Sequence, residues 1–257
     1  MLDRTFNAVF DGLNEQYKPE LEAVRVQYPF QDLRYRCPCL RFKYAEAMAL
    51  LREKGPPKLR ARLDGMTDEG AKKKLEARIE SVANHADTED IGTEDEKLLG
   101  EIVAEVHGQD FYIIDKFPSN VRPFYTMPDP VDPNFSNSCA SGRASDPAAG
   151  PRILLTLLLN TFHPLRYYRY DIFIRGEEVT SGAQRIHDPQ MLLARAAAME
   201  PPVDLTPIQA YVDSFKYGAF PHAGGGIGLE RVVMLFLGLP NIRKSSMFPR
   251  DPRRLTP

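Results

Sequence analysis

Four glycines stand close together at positions 224, 225, 226 and 228, just before a run with helical spacing that carries Arg231. Glycine lets the backbone approach a ligand closely and adopt positive φ. The helix that follows would offer unpaired N–H groups and the positive end of its dipole to an anion, and a guanidinium suits phosphate. The pattern predicts a nucleotide phosphate site on a core helix. The alternative is a buried helix with a flexible entry, whose arginine pairs with a carboxylate.

Residues 170–186 alternate as two strands joined by a tight turn near Gly176. Alternation places Asp171 and Arg175 on one face of the first strand. Asp171 and Glu178 flank the turn, and paired carboxylates beside a nucleotide phosphate are the usual way to hold Mg²⁺. The alternative is a sheet with cross-strand Arg–Glu pairs.

Ser181 and Arg185 are four residues apart on the second strand and are expected on the same face. A hydroxyl and a guanidinium there could bind a small carboxylate ligand. No Ser/His/Asp or Cys/His set stands out as a nucleophile, and His187 and His222 are the histidines nearest this region. A lone histidine is more often a structural residue than a catalyst, so chemistry that needs only positioning and charge neutralisation, such as adenylate formation, fits better.

The composition is that of a globular chain. Its 257 residues are 43% hydrophobic and 26% charged, with a net charge of −2. This length suits one large domain or two small ones, and the charge gives no global attraction to nucleic acid or to an anionic membrane. An odd count of three cysteines favours a reducing compartment. No apolar run approaches the length of a membrane span.

Hydrophobic periodicity places the elements that must position these residues. The Lys72-Lys73-Lys74 run lies among acids, so its segment is expected to be a solvated helix or surface excursion, with a tRNA-facing basic face as the alternative. The predicted order is a helix over 2–18, a short strand within 28–44, a helix over 44–52 ended by Gly55-Pro56-Pro57, the charged segment 58–90, a helix over 94–106, a strand over 111–114, a short strand over 124–127 and a helix near 207–217.

Five stretches resemble, in order, the C-terminal half of the eukaryotic cytosolic aspartyl-tRNA synthetases, a class II family. The run from Ser181 to Arg185, Ser-Gly-Ala-Gln-Arg, is typical of the aspartyl enzymes rather than of their asparaginyl relatives. The stretches are residues 111–118, 122–130, 175–189, 221–231 and 248–257.

The resemblance implies a fold, an activity and a set of roles. The family has an α+β catalytic domain, an antiparallel sheet flanked by helices, and forms a cytoplasmic homodimer. It activates aspartate with ATP and Mg²⁺ to aspartyl-adenylate and then esterifies tRNA(Asp); no membrane is involved. By motif, Arg231 and Glu178 are implied in catalysis; Glu178, Gly226, Gly228, Leu229, Glu230 and Arg231 in ATP binding; Ser181 and Arg185 in aspartate binding; and Asp171 and Glu178 in holding the metal.

Departures from the family pattern are equally specific. Residues 1–257 are expected to be a partial catalytic domain with an incomplete sheet. The family's anticodon-binding OB-fold, its first signature motif, which forms the dimer interface, and its second signature motif are not expected in this chain. Insertions are expected at about 56–87 and 139–169, the latter as translated intron or a looped-out excursion. Because the loss of a charge clamp slows such transfers strongly, the isolated chain is expected to be weak or inactive. The alternative is a non-catalytic paralogue with a partial ATP and aspartate pocket, regulatory or partner-binding.

Overall fold

The computed structural model describes residues 2–118, 123–128 and 170–256. The insertion expected at 139–169 lies outside these described residues, as do Arg122 and the prolines at 130 and 133. The chain divides into two compact units. Unit one comprises Met1–Asp115, Asp171–Ser181 and Gly225–Pro257, and unit two comprises Lys116–Tyr170 and Gly182–Gly224.

Five strands form one sheet in the order β1-β2-β3-β4-β5. β1 runs parallel to β2, with Leu40 opposite Tyr112 and Lys43 opposite Asp115. The α+β class is therefore confirmed, with a mixed sheet in place of a wholly antiparallel one. The strands are β1 (Leu40–Lys43), β2 (Phe111–Asp115), β3 (Tyr170–Ile174), β4 (Glu177–Gln184) and β5 (Ala223–Ile227).

The predicted helices at 2–18, 94–106 and 207–217 are confirmed, although the first ends at Gln16 and a second helix follows it. The predicted strand at 124–127 is instead a turn with a single bridge, from Thr126 to Arg185. Within the described ranges, no helix has both the length and the apolar character to cross a membrane. The helices are α1 (Leu2–Gln16), α2 (Lys18–Gln27), α3 (Tyr44–Leu63), α4 (Glu69–Ala83), α5 (Thr93–His107), α6 (Pro189–Ala197), α7 (Gln209–Ser214) and α8 (Leu229–Phe236).

α3 continues through Gly55, Pro56 and Pro57, so the predicted end of this helix at Gly55 is wrong. Gly55 and Pro56 are buried, and a Cβ on Gly55 would lie 2.8 Å from the Val82 side chain of α4. Leu59 is also fully buried. Because this face packs closely against neighbouring helices, tertiary contacts outweigh the helix-breaking tendency of the prolines.

The charged segment at about 56–87 forms the end of α3 and all of α4. Its ionic groups are matched by α5: Arg78 pairs with Glu94 at 3.0 Å and with Asp95 at 2.8 Å, and Lys58 pairs with Glu105. The segment is thus a helical excursion held by charge pairs, as well as by its buried apolar face.

The core of unit one is built around β2, whose five residues are all buried. The Phe10 ring of α1 lies 5.3 Å from the Phe111 ring of β2 and 5.6 Å from the Phe236 ring of α8. On the other side, Tyr112 stacks on Phe173 of β3 at 5.2 Å. Such ring contacts add specific geometry to apolar burial, and here they fix α8 relative to the sheet.

α5 contacts the turn between β3 and β4 backbone to backbone. The two-residue turn has positive φ at both positions, 50° at Arg175 and 77° at Gly176, as hairpin turns of this length prefer. A Cβ on Gly100 of α5 would lie 2.6 Å from the Gly176 nitrogen and still closer to its Cα. Only glycine at both positions allows this approach.

The core of unit two is smaller. Ile186, Leu192, Val212 and Phe215 form its buried cluster, which joins the end of β4 to α6 and α7. Partly buried side chains cover this cluster, among them Phe124, Tyr125, Met127 and Leu205.

Substitution Gly100→Ala should destabilise unit one by about 3 kcal/mol, because the added methyl group has no space and the neighbouring atoms are backbone. Gly12→Ala in α1 is the matched control, since a Cβ there meets nothing within 4 Å. It should stabilise the chain by about 0.5–1 kcal/mol through helix propensity. Urea unfolding midpoints measure both, and equal midpoints for the two variants would contradict the close contact.

Candidate functional site

The glycine-rich stretch forms strand β5, and none of its four glycines uses the positive φ that glycine permits. Gly224, Gly225 and Gly226 lie within the strand, and Gly228 has a φ of −78°. The Thr180 hydroxyl donates to the Gly226 carbonyl at 2.6 Å. The three glycines therefore leave the exposed middle of β5 without side chains, and a ligand could approach the backbone there.

Arg231 lies in the first turn of α8, as predicted, and is exposed. Its Nη1 donates to the Glu178 backbone carbonyl at 2.8 Å, and the Gly228 N–H donates to the Val179 carbonyl at 3.1 Å. The second half of α8 is buried, which anchors the helix. The first-turn N–H groups have no intrahelical acceptor and lie beside an arginine, an arrangement that suits an anion.

The predicted ATP residues of unit one thus converge on one corner, formed by β4, β5 and the start of α8. Leu229 is 69% exposed and Glu230 is also exposed, so both are accessible there. Their contact with ATP stays a prediction.

The two predicted metal-binding carboxylates differ in burial. Asp171 on β3 is buried, whereas Glu178 on β4 is half-buried. Glu96 of α5 is a third acid in this region, and sequence reasoning missed it. Burial, and then the charges of Glu178 and Asp171, raise the pKa of Glu96 to about 7, while Arg231 acts in the opposite direction. A sequence signal existed, since Glu96 shares a helix face with buried Leu99, Gly100 and Val103.

These acids fit a hard divalent cation chemically. Carboxylate oxygens suit Mg²⁺, which keeps several waters and needs only one or two protein carboxylates when it also binds phosphates. In the part of the chain that the structure describes, no three His, Cys, Asp or Glu side chains are spaced to enclose a metal ion. Asp171 and Glu178 are the residues that would hold Mg²⁺, and the ion would neutralise phosphate charge.

Arg175 was expected on the same strand face as Asp171, and this is wrong. It lies in the turn, where its Nε donates to the Leu235 carbonyl at 2.8 Å and its backbone N–H to the Asp110 carbonyl at 2.8 Å. A cation at the carbonyl end of α8 is favourable. The role of Arg175 is therefore structural.

The predicted aspartate residues fall in different units. Ser181 is half-buried at the end of the unit-one part of β4, and Arg185 follows β4 in unit two. Within unit two, the Arg185 guanidinium lies over the Tyr125 ring, 4.3 Å from its centroid. Among the described residues it makes no ion pair with a carboxylate.

A cavity of about 490 Å³ opens beside Arg185. Aromatic and aliphatic side chains dominate its wall, and the ring of His222 stacks on Phe215 at 5.8 Å. The His222 Nδ1 lies 3.0 Å from the Phe220 carbonyl, which favours the structural alternative for this histidine. The lining residues are Phe124, Tyr125, Arg185, Ile208, Tyr211, His222, Ala223 and Gly224.

Comparison with known proteins identifies the family. The model of the class II tRNA synthetases (D, K and N) matches residues 1–252. The chain belongs to this class II synthetase family. The synthetase chain is 44% identical over 253 residues to the human cytoplasmic aspartate–tRNA ligase, covering 98% of this chain and 38% of that protein.

Two solved structures agree. An aspartyl-tRNA synthetase from Entamoeba histolytica is 41% identical, with a TM-score of 0.70 over 100% of this chain and 40% of its own. An asparaginyl-tRNA synthetase from Pyrococcus horikoshii is 25% identical, with a TM-score of 0.61 over 96% of this chain and 44% of its own. The synthetase chain thus spans about two fifths of the relatives it matches, and it shares their class II fold.

Because the pKa of Glu96 is raised in the folded chain, the free energy of unfolding of the synthetase chain depends on pH. Between its ordinary value of 4.5 and about 7, the folded state keeps a proton that the unfolded state has released, so stability falls as pH rises through this window. Glu96→Gln should therefore stabilise the chain by about 1–2 kcal/mol at pH 8 in Mg²⁺-free buffer, allowing for solvent screening, and by little at pH 4.5. Denaturant unfolding at both pH values measures this.

The control is Glu80→Gln on the exposed face of α4. It should leave the stability at the two pH values close to that of the unsubstituted chain. An equal gain for Glu96→Gln at pH 4.5 and pH 8 would show that the charge of Glu96 carries no cost.

Proposed function

We propose that this chain is a catalytic part of a cytoplasmic aspartate–tRNA ligase. The reaction is ATP-dependent activation of aspartate, followed by transfer to tRNA(Asp). Two separate observations support the proposal: Arg231 of α8 is exposed and hydrogen-bonded to the Glu178 carbonyl, and Arg185 lies over the Tyr125 ring beside a cavity. Arg231 beside Glu178 suits a triphosphate, and Arg185, in an aromatic cavity, suits a carboxylate.

ATP binding is assigned to the corner of β4, β5 and α8. Arg231 and the open N–H groups of α8 would contact phosphate oxygens, and β5 offers Gly226 and Gly228 for close approach of the nucleotide. Asp171 and Glu178 would hold Mg²⁺, which supplies charge neutralisation when bound. Each of these roles needs positioning only and no protein nucleophile.

Aspartate binding is assigned to Ser181 and Arg185. In the proposed first step, the α-carboxylate of aspartate attacks the α-phosphorus of ATP, and pyrophosphate leaves with the electron pair of the broken P–O bond. The ribose hydroxyl of the tRNA then displaces AMP from the adenylate. Arg185 would pair with the side-chain carboxylate of aspartate, away from the reacting centre, and so select the substrate.

The isolated chain is proposed to bind both small substrates but to catalyse weakly. In its longer relatives, the part outside the matched region would contribute further charge stabilisation and the homodimer contact. The non-catalytic alternative makes a different prediction, namely binding with no turnover even when the rest of the synthetase is supplied.

Arg231→Ala should weaken Mg²⁺-ATP binding about tenfold, because it removes one charge-assisted contact to phosphate. Arg60→Ala is the control, since Arg60 is exposed on α3 far along the chain from the site. Calorimetric titration of both variants with Mg²⁺-ATP measures the difference. Unchanged affinity in Arg231→Ala would contradict the assignment of this corner.

Aspartate-dependent exchange of pyrophosphate into ATP tests the reaction itself. The chain alone should exchange pyrophosphate slowly, and Arg185→Ala should abolish the exchange that aspartate stimulates. Supplying the remaining part of a related synthetase as a separate polypeptide should raise the rate. Binding of aspartate and ATP with no exchange under either condition would favour the non-catalytic alternative.

A further inference from the structure

We propose that Tyr125 is a positioning residue for Arg185. Its ring stacks on the guanidinium and fixes the plane of that group. In this fixed orientation the arginine distinguishes a side-chain carboxylate from a carboxamide. This inference rests on the proposed function, because it concerns substrate selection at the same site. Tyr125 is not among the site residues that the family resemblance implies.

The contact uses the face of the guanidinium and leaves its edges free. The Arg185 Cζ lies 4.3 Å from the centroid of the Tyr125 ring, well within the range of a cation–π contact. All five N–H donors of a guanidinium lie in its plane. A stacked ring therefore supports the group without occupying a donor, whereas a supporting carboxylate would consume two.

Backbone register determines this stacking. The Ile186 N–H donates to the Tyr125 carbonyl at 2.9 Å, and the Met127 N–H donates to the Gln184 carbonyl at 3.1 Å. These two bonds hold residue 125 beside residue 185. From the other side, the Arg185 N–H donates to the His222 carbonyl at 3.0 Å, so the backbone at Arg185 is held on both sides.

The cavity wall makes the arrangement selective. Tyr211 of α7 lines the same cavity as Arg185. Apolar walls strengthen an ion pair relative to water. A carboxamide has one acceptor oxygen and one donor NH₂ group, so its NH₂ group would face an N–H donor of the guanidinium. If the guanidinium cannot rotate, this donor–donor contact is not relieved, and the carboxamide binds more weakly.

Tyr125 also packs on the buried cluster of unit two, so a structural role must be separated from positioning. Tyr125→Phe keeps the ring and removes the hydroxyl. Tyr125→Leu keeps an apolar side chain and removes the ring face. Met127→Leu is the matched control, because Met127 packs on the same buried cluster and does not line the cavity.

Calorimetric titration of the 257-residue chain with L-aspartate and with L-asparagine tests the proposal. We expect Tyr125→Phe and Met127→Leu to bind aspartate within threefold of the unsubstituted chain. We expect Tyr125→Leu to bind aspartate at least tenfold more weakly, with little change for asparagine, so that the preference between them falls. Thermal unfolding of each variant reports any loss of folding.

Side-chain NMR supplies a readout that needs no ligand. The δ and ε protons of Arg185, assigned with Arg185→Lys, should show an upfield ring-current shift in the unsubstituted chain and in Tyr125→Phe, and none in Tyr125→Leu. Aspartate affinity that is unchanged in Tyr125→Leu, or lost equally in Tyr125→Phe, would overturn the positioning role. If the unsubstituted chain binds no aspartate, the proposed function fails at this site, and the ring-current shift still decides whether Tyr125 fixes Arg185.

Discussion

The backbone contact between α5 and the turn at 175–176 is the constraint on which unit one depends. With glycine at positions 100 and 176, helix and turn approach more closely than any side chain would allow. Asp171 and Glu178 lie on the two strands that this turn joins, so their distance from α5 follows from the contact. The same turn donates through Arg175 to the carbonyl end of α8, so the helix that carries Arg231 is tied to the same point. This backbone contact thereby sets the geometry of the charged corner.

That closeness brings an electrostatic cost. Glu96, Asp171 and Glu178 concentrate negative charge where burial already disfavours ionisation, and the pKa of Glu96 rises to about 7 as a result. A fold selected for stability alone would avoid such a cluster. A bound cation would remove part of the cost, which is why sites of this kind combine local destabilisation with ligand affinity. Arg231 already contributes in that direction, and its hydrogen bond to the Glu178 carbonyl holds it nearby.

Much of the fold was predictable because its elements carry strong periodic patterns: α1, α5, β2 and the β3–β4 hairpin lie where the sequence placed them. The failures have physical causes. α3 passes through two prolines because packing against α4 outweighs local propensity, and Arg175 leaves the strand face because β3 ends at Ile174 and the tight turn begins there. Within the candidate site, the position of Arg231 in the first turn of α8 was predicted from the sequence. Glu96 and Tyr125 were not, since each reaches its partner through contacts between segments distant in sequence.

Two arginines show how the partner of a side chain decides its use. Arg34 donates from Nε and Nη2 to the carboxylate of buried Asp110, at 3.0 and 2.7 Å, which lowers the pKa of that carboxyl against the opposing effect of burial. Its planar donors are consumed within the protein, and it serves the fold. Arg185 is supported by an aromatic face instead, so its donors remain for another carboxylate. An arginine that recognises a ligand must be held rigidly while its N–H donors stay available. Stacking on an aromatic ring meets both requirements.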